Sequence, residues 1–239
     1  MDASRWKTRI ATAARFLLPP RCLVCGDIGD GVRDICAPCV RLLARNVSCC
    51  GRCAVPLEIA ASECEQCAGV ERPWADLWVP FVYAWPLDRL ESRFKFGGSL
   101  PCGRVLADCW LESGVPPSLP DLLVPVPLHV SRLRSRGYNQ AWELARVLGK
   151  GLSIPARHDV LKRSRATSAQ SELDATARIG NVRGAFVVDR HPVQRHVAIV
   201  DDVMTTGATL EACVTALRDA GIARVDVWAL ARTPRAARC

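Results

Sequence analysis

The fold is decided by Val197-Ala198-Ile199-Val200-Asp201-Asp202-Val203-Met204-Thr205-Thr206-Gly207-Ala208-Thr209. Its apolar, mostly β-branched start predicts a short strand over Val197–Val200. Leu210, Cys213, Val214 and Leu217 then recur at helical spacing, predicting a helix over Thr209–Ala220 that Gly221 stops. Val225–Ala231 reads as another strand. Strands alternating with helices argue for a mainly parallel α/β sheet. Ligands of such sheets sit at the carboxyl ends of the strands, where Asp201 and Asp202 fall. Adjacent carboxylates can accept hydrogen bonds from two ribose hydroxyls and help hold Mg²⁺. Thr205, Thr206, Gly207, Ala208 and Thr209 make a turn of small and hydroxyl residues that opens a helix. Backbone N–H groups there, with the hydroxyls, can wrap a phosphate, and Gly207 lets the backbone come close. The plain alternative is a strand ending in solvated acids before an ordinary N-capped helix. A P-loop nucleotide triphosphatase is excluded, because the chain has no GxxxxGK[ST] run.

Upstream, Leu122–Val126 predicts a second strand, ending in Pro125-Val126-Pro127. Arg136-Gly137 follows and leads into a helix over Asn139–Leu148, with Ala141, Leu144, Ala145 and Leu148 on one face. A guanidinium beside close backbone donors suits a diphosphate. Lys162–Gly180 is polar and Arg-rich without a strand period, which predicts a mobile loop. Trp74–Trp85 is apolar and aromatic, compatible with strand. The net charge of +8 is concentrated: His129–Arg183 holds eleven Lys/Arg against four Asp/Glu, a local +7. Such a field implies a polyanionic partner without choosing among phosphate esters, pyrophosphate and nucleic acid. Trp142 and Tyr138 are candidates to stack on bases of a single strand, with core packing as the alternative.

Eight of the thirteen cysteines form four CxxC pairs in the first seventy residues. Ten residues separate Cys22-x-x-Cys25 from Cys36-x-x-Cys39, ten separate Cys50-x-x-Cys53 from Cys64-x-x-Cys67, and the units are offset by 28 positions. Two CxxC turns complete one tetrahedral four-thiolate site, for which zinc is the default ion. The repeat favours Cys22, Cys25, Cys36 and Cys39 on one structural zinc and Cys50, Cys53, Cys64 and Cys67 on another. An interleaved pairing and an iron–sulfur cluster are the rivals. Gly26 and Gly51 suit the turns. With no secretory signal, thiolate metal sites place the chain in a reducing, cytoplasmic compartment. No apolar run is long enough to span a membrane. Residues 1–20 have Trp6, Ile10, Ala13 and Leu17 at helical spacing among basic residues. They read as a helix packed on its own protein, with peripheral contact to an anionic membrane as the alternative.

The run Asp201–Thr209 resembles the signature of type I phosphoribosyltransferases, which bind 5-phosphoribosyl pyrophosphate (PRPP). Arg136-Gly137 matches that family's pyrophosphate loop. Lys162, Arg163, Arg165 and Arg178 fall, in order, where its flexible loop closes over the ligand. A longer series of motifs is similar to the ComF family: Leu17 to Cys22 before the cysteine module, Phe94-Lys95-Phe96-Gly97, Pro125 to Leu128, Arg136-Gly137-Tyr138-Asn139-Gln140, Asn181 with Gly184-Ala185-Phe186, and the Asp201–Thr209 run. After the helix read over 1–20, that resemblance implies a double zinc ribbon over 21–70 and a phosphoribosyltransferase-like domain over 74–239. The domain is expected as a parallel sheet with helices on both faces, binding PRPP or a related ribose 5-phosphate with magnesium. The resemblance also implies a link to DNA uptake and natural competence. A phosphoribosyltransferase would take its acceptor in Trp74–Asp121; no catalytic base and no acceptor are legible. The alternatives are a non-catalytic single-stranded-DNA-binding protein and a PRPP sensor.

Overall fold

Two strands form the middle of the sheet because their sequences are apolar almost throughout, as burial on both faces of a parallel sheet requires. These are His196–Met204 and Arg224–Arg232. The computed structural model describes residues 20–30, 33–164 and 184–235. In chain order its elements are α1 (Ala37–Arg41), β1 (Leu77–Trp78), β2 (Phe81–Val82), α2 (Leu87–Lys95), α3 (Leu100–Glu112), β3 (Leu122–Pro125), α4 (Val130–Arg136), α5 (Gln140–Leu152), β4 (Leu161–Arg163), β5 (Phe186–Val188), β6 (His196–Met204), α6 (Ala208–Asp219) and β7 (Arg224–Arg232). The helix expected over residues 1–20 falls outside the described residues except for Pro20, and Arg165, Arg178 and Asn181 fall outside them too.

The main sheet is parallel, ordered β1–β7–β6–β3, with β2 also pairing β7. On one face Ala198, Val200, Trp228 and Leu230 pack against α2, α3 and α5. On the other Val197, Ile199, Val227 and Ala229 pack against α6 and the β4–β5 ribbon. This is the expected α/β class, a parallel sheet with helices on both faces and a cysteine module before it.

The helices start and stop where side chains allow. Asn139 caps α5 by accepting the Ala141 N–H at 3.1 Å, and Ala141, Leu144, Ala145 and Leu148 are all buried. Leu210, Cys213, Val214 and Leu217 of α6 are likewise buried.

Three expectations change. The strand expected to stop at Val200 runs on to Met204, with Asp201 opposite Ala229 and Val203 opposite Ala231. Its acids are therefore part of the strand end, not of a loop beyond it. Arg136 does not lie in an open loop: it ends the short helix α4, and Gly137 caps that helix at φ +84°. Lys162 and Arg163 lie on β4, paired antiparallel with β5, because Leu161 and Phe186 find the core under the ribbon.

Candidate functional site

A cavity of about 230 Å³ opens at the carboxyl ends of β3 and β6. Of the residues singled out in the sequence, Asp201, Asp202, Thr205, Thr209, Arg136 and Arg163 line it together. Thr206, Gly207 and Ala208 form the turn between Thr205 and Thr209. Gly207 holds φ +85°, and a Cβ there would lie 2.8 Å from Met204 Cε, so both conformation and space call for glycine. Gly137 and Lys162 do not line the cavity; the Lys162 ammonium pairs with Asp189 at 2.8 Å.

Successive residues of a strand face opposite sides, so the two acids lead into different surroundings. Asp202 lies on the α2 side, where Lys95 Nζ stands 3.3 Å from its Oδ2. Lys95 also pairs with Glu91 one turn earlier at 3.0 Å, and Tyr83 donates its hydroxyl to Glu91 at 3.2 Å. Burial acts to lower the Lys95 ammonium, but the charges of Asp202 and Glu91 outweigh it and hold it above its ordinary range. Asp201 keeps some solvent contact through the cavity yet is crowded by protein. Desolvation and the neighbouring Asp202 charge push its carboxyl up to about 8. Desolvation and Asp202 also raise Glu91.

Lys95, Glu91 and Tyr83 were not assigned to the site from sequence. The Phe94-Lys95-Phe96-Gly97 motif was the available signal, but nothing in its spacing shows that α2 leans over the end of β6. Arg132 and Gln140 are further wall residues. Gln140 is 1% exposed; it accepts from Arg136 Nη1 at 2.7 Å, and its amide nitrogen has no protein partner.

The described basic residues do not all face the same way. Arg132, Arg136 and Arg163 face the cavity, whereas Arg146 and Arg157 are held by Glu143 and Asp159, each at 2.9 Å. The aromatic residues considered for stacking are half-buried and engaged. Trp142 lies 4.8 Å from the His158 ring, and Tyr138 lies 5.5 Å from Phe94.

The cysteines group consecutively, without interleaving. The four sulfurs of Cys22, Cys25, Cys36 and Cys39 lie within 4.8 Å of one another, as do those of Cys50, Cys53, Cys64 and Cys67. Cys25 and Cys36 sulfurs are 3.7 Å apart and Cys53 and Cys64 sulfurs 3.8 Å. A tetrahedron of thiolates about 2.3 Å from a zinc ion has edges of roughly 3.8 Å, so the donor sets fit the metal. The backbone repeats as well: Gly26 N–H bonds Cys22 O at 2.9 Å, and Ala54 N–H, 28 positions on, bonds Cys50 O at 2.8 Å. Both residues have positive φ, +83° and +55°, so the second unit fits an alanine where the first has glycine. Burial works to raise the Cys22 thiol, but backbone N–H groups of Cys25, Cys36 and Val24 pull it down to about 6. Metal analysis of the purified chain is expected to find about two zinc ions per molecule; a single ion would show that one unit of the repeat has lost its function.

A family model described as the double zinc ribbon domain matches residues 13–68. Competence protein F of Haemophilus influenzae is 34% identical over 223 residues, covering 89% of this chain and 96% of that protein. DNA utilization protein YhgH of Escherichia coli is 33% identical over 226 residues, covering 90% of this chain and 98% of that protein. Among solved structures, a purine phosphoribosyltransferase from Pyrococcus horikoshii aligns at 22% identity over 65% of this chain and 78% of that one, with a TM-score of 0.29. Fold and cysteine clusters together define a double-zinc-ribbon protein with a parallel α/β domain. At this similarity over nearly full length, the chain belongs to the ComF family of competence and DNA utilization proteins. Among the described residues, no helix is long and apolar enough to cross a membrane.

Proposed function

We infer that this ComF-family protein binds PRPP or a related ribose 5-phosphate in the cavity beside β6. The observation that carries this reading is the convergence, at the end of β6, of Asp201 and Asp202, of Thr205 and Thr209 from the following turn and α6, and of the guanidinium groups of Arg132 and Arg136 from α4 and Arg163 from β4. The Thr205–Thr209 turn takes the 5-phosphate at the start of α6. Asp201 and Asp202 accept the ribose hydroxyls. Arg136 and Arg163 face the pyrophosphate, with Arg132 and the Gln140 amide as further donors. Gly137 frees the backbone beside Arg136, and the positive charge that Lys162, Arg165 and Arg178 add to the sequence favours a polyanionic ligand. Among the described residues, no carboxylate group converges closely enough to hold a metal alone. Mg²⁺ would therefore arrive with the diphosphate, Asp201 and the ligand's own oxygens supplying its oxygen ligands. The family relatives named for competence and DNA utilization support a role in handling incoming DNA.

Bound in this way, the ligand would expose its anomeric carbon to an acceptor, and the arginines would stabilise departing pyrophosphate. The engaged Trp142 and Tyr138 favour this reading over base stacking on a single strand. Calorimetry with PRPP and Mg²⁺ is expected to show saturable binding that Asp201→Ala with Asp202→Ala removes. No heat at millimolar ligand would end the ribose-phosphate reading. A salt-steep affinity for single-stranded DNA without PRPP binding would favour the alternative.

A further inference from the structure

Arg232, at the end of β7, is 7% exposed and has no carboxylate partner in the hydrogen bonds it makes. Its Nε donates to the carbonyl of Cys53 at 2.9 Å. Its Nη1 donates to the carbonyls of Met204 at 3.0 Å and Thr233 at 3.1 Å, and also to that of Thr205. A buried guanidinium bound only by neutral acceptors keeps its place only while those acceptors are present, because an unsatisfied buried charge is costly. One acceptor belongs to a zinc-ligating residue of the second cysteine cluster, and another begins the phosphate turn.

Two more ties join the same parts. Trp74 Nε1 donates to Arg52 O, inside the Cys50–Cys53 turn, at 3.0 Å. The Trp74 ring closes over Gly207, where an added Cβ would lie 3.6 Å from it. Arg72 reaches Glu211 in the first turn of α6 at 2.5 Å and Cys67 Sγ at 3.6 Å. The second cluster is thus tied to the phosphate segment at Thr205, Gly207 and Glu211. The first cluster is tied elsewhere: Arg93 of α2 donates to Leu23 O at 2.6 Å, and Arg33 pairs with Glu112 of α3.

We propose that Arg232 is a positioning residue through which the second cysteine cluster sets the shape of the Thr205–Thr209 turn, so that zinc there and a ribose phosphate in the cavity strengthen each other's binding. The proposal rests on the ribose-phosphate reading given above. Binding linkage is reciprocal: if zinc in the second cluster organises the turn, ligand on the turn must tighten that zinc by the same factor. The first zinc is tied to α2 and α3 rather than to the phosphate turn, so it should respond less.

The test is an equilibrium competition for zinc between the full-length, two-zinc protein and a chromogenic chelator, with and without saturating ribose 5-phosphate. Calorimetry on the same samples reports ligand binding. The expected result is that one of the two zinc ions becomes at least about fivefold harder to remove. Arg232→Met should abolish that protection while both ions still bind, and Arg232→Lys should restore part of it. If Arg232→Met does not fold, Trp74→Phe, which removes both the indole donor to Arg52 O and the ring edge that lies over Gly207, is expected to reduce the protection. Ribose 5-phosphate heat with both zinc affinities unchanged overturns the coupling and leaves the ligand reading intact. Equal protection of both ions also overturns it, since that is general stabilisation. Undiminished protection in Arg232→Met removes Arg232 from the role. No heat at all sinks the ligand reading and the coupling with it.

Discussion

Lys95→Met is expected to destabilise the unliganded protein by about 2–3 kcal/mol at pH 8, less than the roughly 3–5 kcal/mol cost of breaking a fully buried ion pair because the Lys95 side chain is partly exposed. The substitution keeps the aliphatic stem but leaves Glu91, Asp202 and Asp201 without the ammonium that stands 3.0 Å from Glu91 and 3.3 Å from Asp202. The defect should depend on pH. Glu91 and Asp201 are already raised above ordinary carboxylates, and losing Lys95 raises them further. A carboxyl whose folded pKa lies above its unfolded value binds its proton more tightly when folded, so stability falls as pH rises through that range. The loss should therefore be large at pH 8 and much smaller at pH 5. Urea denaturation at both values checks it. The same loss at both would show that Lys95 contributes by packing alone.

Asp201→Asn is expected to act in the opposite direction. With its carboxyl pushed up to about 8, Asp201 lowers the stability of the empty protein progressively as pH rises from about 4 to above 8. An amide removes that destabilisation and keeps the oxygen that accepts the Asp202 N–H at 2.9 Å. We expect a gain of roughly 2–3 kcal/mol at pH 9 once solvent access is allowed for, shrinking towards pH 4. At roughly 2–4 °C per kcal/mol for a chain of this size, melting curves will resolve it. Affinity for ribose 5-phosphate should fall at the same time, because a proposed acceptor for a ribose hydroxyl is lost. A variant no more stable at pH 9 than at pH 5, relative to the parent, would count against the strained-carboxylate account. Stability given up for ligand recognition is a common property of binding sites.

The central strands and the two helices that follow their ligand ends were legible because their apolar residues repeat with clear periods. The cysteine clusters were legible because CxxC spacing nearly dictates geometry. Three features were not. The strand's continuation through Asp201 and Asp202 runs against local reading, since two adjacent acids resemble a strand's end; pairing with Ala229 and Ala231 of β7 overrides it. The α4 helix is too short to show a period, so Arg136 looked like a loop residue. The role of Lys95 depends on how α2 crosses the sheet, a long-range property that no window of sequence contains. The cavity's phosphate end was visible in the chain, whereas the wall formed by Tyr83, Glu91 and Lys95 came only with the fold.

That β6 passes through its acids has a consequence for the energetics of recognition. Asp201 and Val203 are paired with the neighbouring strand in the middle of the sheet, so their backbone is already fixed before any ligand arrives. Ordering a residue costs about 1–2 kcal/mol of conformational entropy, and at these positions folding has met that cost in advance. Ribose hydroxyls would thus meet carboxylates carried on a backbone that is already held in place, leaving selectivity to shape and charge at the strand end.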